Sequence, residues 1–504
     1  MRPTGVVGMG GSGRPGRVRN LLVLLTDEQR ADTLGTYGGD PRWTPALDAL
    51  AERSVVFEQA MCAQPVCTPS RGSILTGRFP HSHGAVGNNR PLPPDVPTLA
   101  EYVAQGLPDA RRAAAYMGKW HLGRELSAQH GFSTWVASED MYTHDAAEGV
   151  SAYGRFLEAG GLVPDSGPPG RRVFSRAFAA RLPEALGKPA FLVDRAIAFL
   201  EGCRREGRPF VLMLSLLEPH MPFFGPRDRL VPRESVDLPP TFAAPPDAGM
   251  PLRYRLMRER YARHNPHVQR DDEAGWVDLR ARYLGLCALV DAHLGRVLSA
   301  LSDLGLEDDT AIVYTSDHGD MMGDHHLVAK CTQYEGAVRV PLLLRLPGFA
   351  PRRVAEPVSL VSLVPTLLEA VGCPLPVGLQ APSLLSLARG EAAGAAGGRG
   401  DGEGPEVVVE WNGGEGLWPA EIFPGGPKED ARLRAARLRT LRGPRWKLTL
   451  DETGDHTLYD LWEDPHETRN RVGVAAHAPR VRAMAERLRS WQARTEDPLE
   501  LSWP

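Results

Sequence analysis

Asn20-Leu-Leu-Val-Leu-Leu-Thr26-Asp27-Glu28 is the stretch whose reading decides the fold. From 21 to 26 it is apolar without the alternation of a half-exposed strand, as in a parallel strand covered on both faces. It ends in two adjacent carboxylates. Comparable runs lie at 112–117, 210–215, 311–315 and 340–346, and helical spacing appears at 96–105 and 283–304. Strand and helix in alternation predict an α/β fold with a mostly parallel sheet flanked by helices. Ligands of such sheets gather beyond the carboxyl ends of the strands. Asp27-Glu28 and Asp317-His318 each follow such a run, so they are placed to converge on one hard cation. One acidic residue alone would equally well cap the next helix; the second pair favours convergence.

The 504 residues carry a net charge of -4 and show no basic stripe, which argues against a nucleic-acid partner. No transmembrane span is expected. Residues 20–26 are too short and too poorly flanked for a signal peptide, so the expected location is cytoplasmic. The six scattered cysteines form no CxxC pair and read as free thiols. Residues 1–17 are Gly- and Arg-rich and read as a disordered tail. Gly8-Met-Gly10-Gly-Ser-Gly13 within them fits GxGxxG, but no strand precedes it and Arg14-Pro15-Gly16 follows where a helix should begin. We set the dinucleotide reading aside. The expected organisation is a catalytic domain over 18–390, a Gly/Ala-rich linker over 391–405 and a C-terminal subdomain over 406–504. Short strands at 407–411, 437–440, 446–450 and 457–459, then an amphipathic helix at 481–491, give that subdomain an antiparallel sheet.

The chemistry lies in four blocks. The first is Ala63-Gln-Pro-Val-Cys67-Thr-Pro-Ser-Arg71-Gly-Ser-Ile-Leu-Thr-Gly77-Arg78. Tyr116-Met-Gly-Lys119-Trp-His121-Leu-Gly123 and Glu218-Pro-His220-Met-Pro-Phe223 follow. The last is Asp317-His-Gly-Asp-Met-Met-Gly-Asp-His325-His-Leu-Val-Ala-Lys330. In kind and order these blocks resemble those of the type I sulfatases of the alkaline phosphatase superfamily, and the resemblance runs from residue 20 to about 470. It implies the alkaline-phosphatase-like sheet with a smaller C-terminal α+β subdomain. It also implies hydrolysis of sulfate monoesters, aryl or carbohydrate, to inorganic sulfate and an alcohol.

By that resemblance Cys67 is the precursor of formylglycine (3-oxoalanine), made by a formylglycine-generating enzyme that reads the Cys67–Arg71 motif. The hydrated aldehyde attacks sulfur with one hydroxyl and expels sulfate with the other. Asp27, Asp317, His318 and residue 67 are implied ligands of one divalent metal, most simply Ca²⁺, with Mn²⁺ or Mg²⁺ as alternatives. Glu28 departs from the family's usual Asp, so its place among the ligands stays open. Arg71, Lys119 and Lys330 are expected to neutralise the sulfate, and His121 to assist its expulsion. His220 is expected to protonate the leaving oxygen and to titrate in the physiological range. Asn88 reads either as a substrate contact or as a turn residue. His325 is expected to support the site, and His326 to belong to a polar loop without a ligand role. Two other readings are a phosphonate or phosphate ester hydrolase on the same fold and an inactive relative used for binding. Lys119 and His121 favour sulfate.

Overall fold

The computed structural model describes residues 18–107, 112–140, 149–167, 172–243, 248–264, 272–391, 404–414 and 432–502. The expected tail with its GxGxxG and most of the 391–405 linker lie outside these residues. Nine strands form one sheet: β1 (Asn20–Asp27), β2 (Val55–Met61), β3 (Ala113–Gly118), β4 (Thr134–Ala137), β5 (Phe210–Pro219), β6 (Thr310–Ser316), β7 (Arg339–Val340), β8 (Leu342–Arg345) and β9 (Arg352–Ser359). β4, β3, β5, β1 and β6 run parallel to one another in that order. β8 then pairs antiparallel with β6 and with β2, while β9 joins β2 in parallel.

All eight residues of β1 are buried. Leu21, Val23 and Leu25 face one core, shared with Leu99 and Val103 of the helix Leu99–Gly106 and with Leu367. Leu22 and Leu24 face the opposite core, with Leu192, Leu200 and Leu294. Two covered faces explain why the run does not alternate. Each leucine so buried contributes about 1.5–3 kcal/mol. The run at 340–346 is two strands, because Pro341 offers no N–H to a ladder.

The helix Glu273–Asp303 starts earlier than its apolar periodicity indicated, capped by Asp272, whose Oδ1 accepts the Gly275 N–H at 3.0 Å. An 18-residue stretch of it has mean hydropathy 1.5, enough by length and composition to cross a membrane. Its apolar side, Val290, Leu294, Val297 and Leu301, packs into the core shared with the helix Lys188–Glu206.

β10 (Val407–Trp411), β11 (Leu438–Arg442), β12 (Trp446–Asp451) and β13 (Thr457–Asp460) form a separate antiparallel sheet. The helix Ala478–Thr495 lays Val481, Met484, Ala485 and Leu488 on Leu448, Leu450 and Leu458, the i, i+3, i+4, i+7 stripe of an amphipathic helix. Val409 enters the main core, so the smaller sheet packs directly against the larger unit.

Candidate active site

The four blocks meet at the carboxyl ends of the parallel strands. Asp27 is the last residue of β1, Lys119 follows β3, His220 follows β5, and Asp317 and His318 follow β6. Cys67 opens the helix Cys67–Thr76, which ends at Gly77 in a left-handed conformation, φ 68°. The helix thus starts at the cysteine itself, which places Sγ at the positive end of the helix dipole. Asp27, Glu28, Lys119, Asp317 and His318 have no solvent exposure, and Cys67 and Arg71 are 1% exposed.

Three cationic or protonatable groups surround the sulfur. Lys119 Nζ lies 3.5 Å from Sγ, Lys330 Nζ 3.4 Å and His318 Nε2 3.4 Å. Asp27 Oδ1 lies at 3.7 Å. Burial and the Asp27 charge push the thiol up, but Lys119, Lys330 and His318 outweigh them and hold it below its ordinary value. Burial would likewise raise Asp27; Lys119, which donates to Oδ2 at 2.5 Å, and Arg71 hold it well below the carboxylate range.

One donor atom each from Asp27, Cys67, Asp317 and His318 lie within 4.8 Å of one another, a group able to surround one cation. His318 Nδ1–H donates to Gly319 O at 2.9 Å, which orients Nε2 toward this group. Glu28 does not belong to it. Its backbone is left-handed, φ 68°, and is held by its N–H to Asp317 Oδ1 at 3.2 Å and by Tyr283 OH, which donates to Glu28 O at 2.7 Å. Its carboxylate turns to Lys330 Nζ at 3.3 Å and His220 Nε2 at 3.4 Å. Burial, opposed by Lys330, pushes it up to about 8. Glu28 thus groups with Asp27 and His220 and not with the other ligands.

Three further residues differ in their contacts or charge from the simple expectation. Arg71 does not face a substrate. Its Nε donates to Asp317 Oδ2 at 2.8 Å and Nη2 to Asp27 Oδ2 at 2.6 Å, and Nη1 donates to Lys119 O and Ser215 Oγ. It aligns the two ligand carboxylates. Asn88 is more than a plain turn residue: its Oδ1 accepts the Thr68 N–H at 3.1 Å, satisfying a free amide in the first turn of the nucleophile helix. His220 does not sit at a physiological pKa. Burial, Lys330 and Lys119 hold it well below its usual value. Its Nδ1–H donates to Met221 O at 2.8 Å, so Nε2 carries the lone pair. His121 is also neutral, held down by burial, Lys119 and Arg176.

His325 stacks on Tyr334 with ring centroids 4.0 Å apart, and His326 stacks on Phe242 at 4.4 Å. Four contributors have contacts that the sequence does not show, Ser70 being read there only as part of the Cys67–Arg71 motif. Ser70 Oγ donates to Asp317 O, Ser215 holds Arg71, Tyr283 pins Glu28, and Asp320 Oδ1 accepts the N–H groups of Met322 and Ala329. Asp320 thereby folds the loop that delivers Lys330. Its position inside the fourth block was the only available signal; Tyr283 and Ser215 had none.

The Sulfatase family model matches residues 19–373. The chain is 27% identical to the uncharacterized sulfatase YidJ of Escherichia coli, over 95% of this chain and 88% of that one. It is 24% identical to an N-acetylglucosamine-6-O-sulfatase of Bacteroides thetaiotaomicron, over 95% of this chain and 87% of the other. Among solved structures, the phosphonate monoester hydrolase SpPMH of Silicibacter pomeroyi superposes with a TM-score of 0.73 at 26% identity, covering 95% of this chain and 96% of that one. The family match spans well over half of the chain and includes every block that builds this site. The protein belongs to the sulfatase family, as a type I sulfatase of the alkaline phosphatase superfamily.

Proposed function

We propose that the protein hydrolyses sulfate monoesters of aryl or carbohydrate alcohols at residue 67, converted to formylglycine, releasing inorganic sulfate. One observation carries the reading: two ammonium groups, Lys119 and Lys330, stand 3.5 and 3.4 Å from the same Cys67 atom on which the carboxylate–histidine group converges. The thiol sulfur stands in for the hydroxyl of a hydrated aldehyde. A sulfate monoester is an anion, and cations fixed before it arrives lower the barrier to attack, typically by a few kcal/mol each.

Three oxygen donors and one imidazole nitrogen, once residue 67 offers a hydroxyl, suit Ca²⁺, with Mn²⁺ or Mg²⁺ as alternatives. Asp27, Asp317, His318 and residue 67 would hold the ion. Metal and formylglycine together supply an activated oxygen nucleophile and a Lewis acid. The remaining work belongs to the chain's own side chains. Arg71 keeps Asp27 and Asp317 in register. Lys119 and Lys330 bind the sulfate oxygens. His220, at the partly open edge of the site with 7% exposure, faces the departing alcohol. A bound anion offsets the two ammoniums that depress this imidazole, which lets Nε2 take up a proton and pass it to the leaving oxygen. The relative acting on N-acetylglucosamine-6-O-sulfate supports a sulfated saccharide as the substrate class.

The similarity to SpPMH supports a second reading, hydrolysis of phosphonate monoesters. Converted protein assayed on matched 4-nitrophenyl sulfate and 4-nitrophenyl phenylphosphonate separates the two. We expect the higher kcat/KM on the sulfate. A higher value on the phosphonate would overturn the sulfatase reading, and no turnover of either would support an inactive relative.

A further inference from the structure

His81 lies outside the reacting centre, in the short helix Pro80–His83 that follows the nucleophile helix. Both of its ring nitrogens face groups that accept and cannot donate. Nδ1 is 2.5 Å from Glu410 Oε1, and Nε2 is 2.9 Å from Thr495 O at the end of the helix Ala478–Thr495. A neutral imidazole has only one N–H, so satisfying both contacts requires the imidazolium. The ring is also enclosed by aromatic edges, 5.7 Å from Trp491. The charged groups facing it are Glu410 on β10, Arg439 on β11 at 3.8 Å from Glu410, and Asp497, which Arg439 pairs through both carboxylate oxygens at 2.8 Å. The neighbouring His83 is neutral: its Nδ1 accepts the Ala85 N–H and its Nε2–H points to Pro69 O at 3.1 Å in the nucleophile helix.

Glu410 continues the chain of contacts inward. Its own N–H donates to Ala63 O at 2.7 Å. Its Oε2 accepts from Asn412 Nδ2 at 2.7 Å, and the same Nδ2 donates to Gln64 Oε1 at 2.9 Å. Ala63 and Gln64, both fully buried, lead directly into Cys67. The C-terminal unit therefore holds the segment that enters the nucleophile helix, and His81 ties both ends of that hold together.

We propose that His81, as an imidazolium, is a positioning residue for the nucleophile: by bridging Glu410 and Thr495 it locks the C-terminal unit onto residues 63–66 and so fixes residue 67 against Lys119 and Lys330. The catalytic half of this inference rests on the sulfatase reading; the mechanical half does not. Residue 67 reacts only if its oxygen lies in line with sulfur, and a displacement near 1 Å is enough to slow such a step strongly.

The test uses the full-length protein and two variants. His81→Phe keeps the ring packing and removes both ring hydrogen bonds, leaving the His81 N–H on Glu410 Oε2; Asn412→Ala removes the amide that joins Glu410 to Gln64. Rates on 4-nitrophenyl sulfate are normalised to the fraction of residue 67 converted, read by mass spectrometry. We expect kcat per converted site to fall about tenfold in His81→Phe and less in Asn412→Ala, with KM nearly unchanged in both. Amide exchange at one fixed pH should rise in peptides covering 63–66 and 485–495 of His81→Phe. A residue that only stabilised the fold would lower the melting temperature and leave kcat per converted site intact, and that result overturns the proposal. Should His81→Phe fail to fold, an unchanged kcat in Asn412→Ala does the same. If wild-type protein turns over no sulfate ester, the function reading falls, and the exchange comparison decides the clamp by itself.

Discussion

Of two buried clusters of lysine, arginine and carboxylate, one at Cys67 and one between the sheets, only the first forms a site. At Cys67 the cations Lys119, Lys330 and Arg71 meet Asp27, Glu28 and Asp317. Between the two sheets, Lys447 and Arg442 meet Glu335 and Glu467. In the second cluster every charge is answered locally: Lys447 Nζ lies 3.0 Å from Glu335 and 2.7 Å from Glu467, and Arg442 lies 3.2 Å from Glu335. In the first, Lys119 and Lys330 reach a carboxylate and the nucleophile atom together. The difference lies in where the chain delivers the groups. The catalytic set arrives from the ends of four parallel strands and a helix N-terminus and converges on one atom. The second set comes from the facing surfaces of packed units and pairs off. Buried charge marks a site when it converges, and joins elements when it is paired.

Substitution of one lysine in each cluster breaks this comparison most sharply. Lys119→Ala should lower kcat/KM about 10²–10³-fold, because it removes a cation from both the sulfate and Asp27, and should raise KM as well as lower kcat. Lys447→Ala should leave kcat per folded, converted molecule unchanged. It should instead destabilise the protein by about 3 kcal/mol, since buried Glu467 loses its lysine and Glu335 keeps only Arg442. Steady-state kinetics and denaturant unfolding on both variants check the pair. Equal kinetic losses would mean that the clusters do not differ as described.

A leaving-group series sharpens the role of His220. The His220→Ala variant should be slowed most for sulfates of poorly acidic alcohols and little for 4-nitrophenyl sulfate, whose phenolate departs without a proton. Parallel slopes in wild type and variant would make His220 a binding residue.

The smallest effect concerns a third, paired cluster. Glu139 is buried; burial alone would raise it, but Arg176 and Lys188 hold it near 2, below the ordinary 4.5. Its folded value is depressed, so its stabilisation is complete above about 4.5 and is lost as pH falls toward 2. Glu139→Gln should flatten that part of the acid limb of a melting-temperature profile and leave the neutral region parallel to wild type. An unchanged acid limb would count against the pairing.

Much of this was legible in the sequence because strand and chemistry are adjacent. β1 and β6 show as apolar runs covered on both faces, and Asp27, Asp317 and His318 sit at or just past their ends, so fold and ligand group are read together. Lys119, His220 and Lys330 were found by motif. What could not be read depends on contacts distant in sequence or on backbone torsion. Glu28 looks like a ligand by position, and only its left-handed backbone and the Tyr283 hydroxyl send its carboxylate elsewhere. Arg71 looks like a sulfate anchor until its donors are traced to Asp27 and Asp317. The pKa of His220 follows from burial beside two ammoniums, which no local pattern encodes. His81 and Glu410 are 329 positions apart.

The central claim is that the convergence at residue 67 is the reacting centre, with formylglycine in place of the thiol. The most direct measurement prepares the protein at graded levels of conversion, by varying co-expression with a formylglycine-generating enzyme. The ratio of cysteine to formylglycine in the tryptic peptide that ends at Arg71 is then plotted against sulfate release from 4-nitrophenyl sulfate. The account predicts a straight line through the origin, with Cys67→Ala at zero. Turnover that is independent of conversion, or that persists in Cys67→Ala, would contradict it.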